Sequence, residues 1–107
     1  TVLCEELFRR TGLTGYVDRF LSTDAVCYWK PAPRAYHYGL EQIGLPANRV
    51  ALIAAHSWDI HGAHNVGLRT VWIARQEPEP GAIFFAPDIV GTTLSDAADR
   101  LLAWHVA

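Results

Sequence analysis

Residues 50–75 read VALIAAHSWDIHGAHNVGLRTVWIAR, and the parsing of this stretch decides the fold. Its first six residues are apolar without a break, the pattern of a parallel strand covered on both faces. A turn at His56-Ser57-Trp58 follows, and Asp59 is placed to N-cap a short helix with Ile60, Ala63 and Val66 inward. Gly67 stops that helix at a C′-like position. Residues 69–74 read as a second buried strand, which completes a β-α-β unit with a right-handed crossover. Ligands of such sheets sit beyond the carboxyl ends of the strands. Ala54, His56, Ser57, Trp58 and Asp59 therefore stand where chemistry is expected.

Upstream, residues 2–10 carry Leu3, Leu7 and Phe8 on one helical face, with Glu5, Glu6, Arg9 and Arg10 around the rest. Gly12 ends that helix, and a short strand is expected at residues 20–22. Pro31 and Pro33 fix an extended lead and then open a helix over residues 34–43. This helix is expected to bury Ala35 or Tyr36, Gly39 or Leu40, and Ile43, with Gly44 as its stop. Downstream, residues 76–81 (QEPEPG) form a polar, proline-rich loop. A loop at Ile83-Phe84-Phe85 packs on the body, and residues 88–91 make a short edge strand. Thr93 with Asp96 approximates a capping box for a last helix that buries Leu94, Ala97 or Ala98, Leu101 and Leu102. Strands alternating with helices predict an α/β parallel sheet.

The 107 residues are one domain's worth of chain, half of them hydrophobic and 19% charged, as in ordinary globular proteins. A formal charge of -2 gives no electrostatic reason to expect nucleic acid or an anionic membrane surface as partner. Cys4 and Cys27 stand apart from any CxxC pattern, which points to a reducing cytoplasm and to inert small side chains. The chain holds no Met and begins Thr-Val-Leu-Cys, so it is expected to be a piece of something longer.

Three patterns fall in one order: Asp18-Arg19-Phe20-Leu21-Ser22 ahead of Asp24-Ala25-Val26, then Lys30-Pro31-Ala32-Pro33, then Ala54-Ala55-His56-Ser57-Trp58-Asp59. Together with Ile60-x-Gly62-Ala63 and Gly67-Leu68-Arg69-Thr70, they resemble the C-terminal part of the haloacid dehalogenase-like hydrolases. The likeness is greatest to type II (S)-2-haloacid dehalogenases. It implies a Rossmann-like three-layer αβα core and, upstream of Thr1, the cap, an aspartate nucleophile and a Ser/Thr motif. In such enzymes the aspartate displaces halide from C2 of a small 2-haloalkanoate, and water hydrolyses the resulting ester. The family's lysine falls on Lys30, its tyrosine on Tyr36 and its strand-end aspartate on Asp59. Ala54 and His56 stand where dehalogenases often carry Ser and Asn; His56 can substitute as a hydrogen-bond donor.

Phosphatases of the same family usually end this strand in Gly-Asp-x-x-x-Asp, whose first carboxylate helps hold Mg, a hard cation that needs oxygen ligands. Ala54-Ala55 replaces that pair, and a methyl group ligates no metal. The resemblance thus implies metal-free dehalogenation, with Mg needed only if the chain is a phosphatase. The bland readings are a solvated loop lysine for Lys30, a plain helix cap for Asp59, and packed core for Tyr36. Trp58 either walls an apolar pocket or packs under the loop. His61 and His64 lie three apart on a helix face expected to be solvated, and zinc is not expected there. In the family's strand order, missing strands belong between the residue 20–22 segment and the residue 50–55 strand. Their absence would leave a sheet edge open, so a homodimer or other self-association is expected. An inert fragment or self-association module is the reading without catalysis.

Overall fold

The computed structural model describes residues 1–75 and 84–104. The loop expected at residues 76–81, and Ile83 of the following segment, lie outside the described residues. Helix α1 (Val2–Thr11) leads through short 3-10 turns at Thr14–Tyr16 and Thr23–Ala25 to α2 (Pro33–Ile43). A third turn at Ala47–Arg49 delivers β1 (Ala51–Ala54), then α3 (Ser57–Asn65), β2 (Arg69–Ile73), β3 (Ile89–Gly91) and α4 (Leu94–Ala103). The three strands are parallel in the order β1-β2-β3, with Ala51 opposite Arg69 and Val71 opposite Ile89.

Alternation along the strands builds two cores from one sheet. Leu52, with Val50 and Leu68 beside the strands, joins Tyr36, Leu40, Ala63 and Val66 on the α2–α3 side. Ala51, Ile53, Val71, Ile73 and Ile89 join Ala97 and Leu101 under α4. Helices thus cover both faces, the three-layer αβα arrangement. Ile60 and Val71 are almost wholly buried, and each such side chain stabilises the fold by about 1.5–3 kcal/mol.

Local signals end the elements as the sequence predicts. Gly67 (φ +87°) occupies the left-handed position after α3. Its N–H donates to the His64 carbonyl (3.0 Å), and that of Leu68 donates to Ala63 (3.1 Å). This is a Schellman closure, and it swings Leu68 into contact with Ala63 in the core. Thr93 caps α4 by accepting the Asp96 N–H at 3.0 Å. Asp88 closes the edge of the sheet: its carboxylate accepts the backbone N–H of fully buried Thr70 (2.9 Å), while its own N–H donates to the Thr70 hydroxyl (3.0 Å). Gly91 is required by packing, since a Cβ there would lie 2.9 Å from the Ala97 backbone.

Four expectations are corrected. No strand forms at residues 20–22, because no β-partner lies beside them: a groove of about 260 Å³ separates Leu21, Ser22 and Thr23 from β1. On α1, Leu3 and Leu7 stay exposed, while Phe8 of the apolar face packs edge-on against Phe20 at 5.3 Å. Ile43, which borders the same groove, and Leu94 and Leu102 on α4 are also exposed. Cys4 and Cys27 are free and exposed, not packed. Among the described residues no helix is long and apolar enough to cross a membrane.

Candidate active site

The site is assembled where β1 ends and α3 begins. The Val50–Ala55 apolar run forms a half-buried edge strand, and Trp72 on β2 donates its indole N–H to the Ala55 carbonyl at 3.0 Å. That bond pins the peptide from which the α3 turn departs. Sequence periodicity places Trp72 in a buried strand, but a side-chain bond across strands leaves no periodic trace.

His56, not Asp59, is the N-cap residue of α3, and no side-chain bond caps this end. Asp59 is the third residue of the helix, and its carboxylate is engaged elsewhere. Oδ1 accepts the Tyr36 hydroxyl at 2.6 Å and Oδ2 accepts the Lys30 ammonium at 3.1 Å. The two acceptors of one carboxylate thus tie the start of α2 and the loop just ahead of it to α3, more than twenty residues further along the chain. An anionic group in the first turn of a helix also faces the positive end of its dipole.

Burial is graded across this cluster. Tyr36 and Asp59 are buried, whereas the Lys30 side chain remains 37% exposed. A lysine ammonium carries three N–H donors, so a bond to Asp59 leaves Lys30 able to hold a second anion. Tyr36 is fixed along its whole length: its ring packs with Ala63 and Leu68, and the Lys30 ammonium lies 5.8 Å from its centroid. Burial, then the hydrogen bond to Asp59 and its charge, push the Tyr36 hydroxyl well above the usual tyrosine range.

Lys30, Asp59 and Tyr36 are therefore brought together. His56 and Trp58 meet each other instead, stacked with ring centroids 5.7 Å apart and 12° between planes. Trp58 is 38% exposed at the mouth of the α3 turn. The groove beside β1 is lined by Lys30 and Tyr36 together with Leu21, Leu40 and Leu52, and neither His56 nor Trp58 borders it. On the outer face of α3, His61 and His64 are not simply solvated. Phe85 lies against both rings, at 5.0 and 4.1 Å, and donates its N–H to His61 Nδ1 at 3.1 Å. Among the described residues there is no group of three or more His, Cys, Asp or Glu suited to a metal ion.

A parallel sheet with polar side chains gathered beyond its carboxyl edge is the plan of a Rossmann-like core. The family model described as haloacid dehalogenase-like hydrolase matches residues 3–73, and the chain belongs to that family. (S)-2-haloacid dehalogenase 4A of Burkholderia cepacia is 32% identical over 85 residues, covering 79% of this chain and 36% of that protein. Pyrimidine 5'-nucleotidase YjjG of Escherichia coli is 40% identical over 76 residues, 65% of this chain and 33% of that protein. The L-2-haloacid dehalogenase of Xanthobacter autotrophicus superposes with a TM-score of 0.84 at 25% identity, over 96% of this chain and 51% of that one. The same TM-score of 0.84 is found with that enzyme carrying covalently bound chloropropionic acid. The chain spans about a third of the length of these curated relatives.

The folded state favours the neutral Tyr36 phenol, so this contribution to stability is complete below the ordinary tyrosine value of about 10 and declines as pH rises past it. Urea midpoints measured from about pH 9 to about pH 11 should fall more steeply for the native chain than for Tyr36→Phe. Parallel slopes would show that Tyr36 is not the group responsible.

Proposed function

We propose that this chain supplies half of the active site of a hydrolase that cleaves the carbon–halogen bond of short 2-haloalkanoates. The observation that carries this reading is the Lys30–Asp59 pair, 3.1 Å apart at the carboxyl end of β1, beside an uncovered strand edge. A carboxylate from a segment beyond these 107 residues would attack C2, forming a C–O bond as halide leaves with the electron pair of the broken bond. Water then adds to the ester carbonyl, releasing the 2-hydroxyalkanoate and restoring the carboxylate. Lys30 is the charged partner of that nucleophile, and Asp59 orients or activates the water. Tyr36 holds Asp59 in place at the substrate's edge. Trp58 offers an apolar rim, and His56 a donor for the substrate carboxylate. Two free, exposed cysteines suit a reducing cytoplasm.

The second reading is a phosphatase, favoured by the 40% identity to a nucleotidase. Against it stands the sequence at the end of β1, where Ala54 and Ala55 offer methyl groups in place of the Mg-binding carboxylate. The enzyme with its upstream segment should release halide from 2-chloropropionate in the presence of chelator and leave a generic phosphate ester intact. Lys30→Ala should lower halide release by at least about a hundredfold, the scale for losing one preorganised charged donor. It should cost about 1 kcal/mol of stability or less, as a part-exposed ion pair does. Full turnover by that variant would remove Lys30 from the mechanism, and Mg-dependent phosphate release would favour the second reading.

A homodimer or larger self-associate is the partner state we propose for the 107-residue chain. Among the described residues β1 has a neighbour on one side only, and Val2, Leu3 and Leu7 of α1 are exposed. Size-exclusion chromatography with light scattering should give a mass above 11.9 kDa that rises with concentration. A sharp monomer peak at every concentration would contradict this.

A further inference from the structure

Gly62 lies on α3 three residues beyond Asp59, and nothing about its backbone requires glycine, since its φ is not in the left-handed region. In the middle of a helix glycine costs about 1 kcal/mol relative to alanine. Its surroundings give the reason for it. A Cβ built at Gly62 would lie 2.5 Å from Tyr36 Oη, 2.7 Å from Tyr36 Cε2 and 2.8 Å from Pro31 Cβ. All three separations are shorter than real Cβ contacts. The two residues it would strike are the tyrosine that binds Asp59 and the proline next to Lys30. On α2, by contrast, Gly39 has nothing within 4 Å of its would-be Cβ.

We infer that Gly62 is a positioning residue for the site: its missing side chain lets Tyr36 and Pro31 close onto α3, which brings both donors to the Asp59 carboxylate. The 2.6 Å bond from Tyr36 to Oδ1 exists only while the phenol lies against the helix at this point. Tyr36 is 4% exposed and packed with Ala63 and Leu68, and the free space beside it is the groove along β1, away from Asp59. A methyl group at position 62 therefore pushes the ring outward and separates its hydroxyl from Asp59. Pro31 moves with its own chain, so Lys30 is carried away from Oδ2 at the same time. This inference deepens the proposed function by assigning a residue to the same site, but its test reads geometry, not turnover. A failure to release halide would leave it standing.

The experiment is a pH titration of the intact chain labelled with ¹³C at tyrosine Cζ, with Tyr36→Phe used to assign the Tyr36 resonance. In the native chain the Tyr36 signal should stay un-ionised through the ordinary tyrosine range around pH ~10. In Gly62→Ala its midpoint should drop into that range, because the phenol gains water and loses Asp59. Gly39→Ala should leave the Tyr36 signal as in the native chain. A merely structural role for Gly62 would lower the melting temperature without moving this midpoint. A Tyr36 titration unchanged in Gly62→Ala, or equally changed in Gly39→Ala, would overturn the inference. If Gly62→Ala fails to fold, Gly62→Ala/Tyr36→Leu, which vacates the space held by Oη and Cε2, should regain cooperative melting. A double variant that stays unfolded would overturn it as well.

Discussion

A carboxylate withdrawn from water has to be compensated by donors, and the Asp59 side chain meets that demand with a tyrosine hydroxyl and a lysine ammonium. Because the donors come from α2 and from the loop ahead of it, the demand is also what holds those segments against α3. The pairing makes geometric sense of the order of the chain. Lys30 and Tyr36 flank the start of α2, so one helix docked on α3 delivers both to the same place. A charged donor and a neutral donor to one carboxylate are also unequal. The buried phenol fixes where Asp59 points, and the part-exposed ammonium stays able to meet a second anion.

Everything else in the fold serves to present that carboxylate at the edge of a sheet. Two cores on opposite faces keep β1 and β2 in register, and the Trp72–Ala55 bond fixes the peptide at the end of β1. At the far side, Asp88 and Thr70 exchange hydrogen bonds so that the strand bordering β2 is held by side chains as well as by the ladder. The near side of β1 is different. There the backbone edge faces a groove with Lys30 and Tyr36 in its lining, so the open edge and the candidate site adjoin. A segment paired along that edge would reach the site directly, which is why the proposed nucleophile and the proposed self-association draw on the same exposed surface.

The sequence carried the parts of this arrangement that are decided locally. The β-α-β unit followed from an unbroken apolar run, a helical spacing and Gly67, and the caps at Gly44 and Thr93 followed from single residues. Asp59 was placed at a strand end by the β-α-β reading, whereas Lys30 and Tyr36 were legible only through resemblance to a family. What was illegible depends on neighbours. Asp59 reads as a helix cap until Tyr36 and Lys30 are beside it. Residues 20–22 read as a strand, but a strand exists only with a partner, and none lies there. Leu3, Leu7, Leu94 and Leu102 read as buried because periodicity reports which face is apolar, not whether anything covers it. Gly62 was visible only as one letter of a motif. Its meaning appears when a Cβ is built and strikes the tyrosine.

Tyr36 and Asp59 act as one unit in the folded chain, and a double-mutant cycle measures that unit. Urea unfolding of the native chain, Tyr36→Phe, Asp59→Ala and the double variant at neutral pH gives the coupling energy directly. The structure calls for a coupling of about 1.5–3 kcal/mol, the range for a hydrogen bond to a charged group. Additive losses, with a coupling indistinguishable from zero, would mean that the two side chains do not meet.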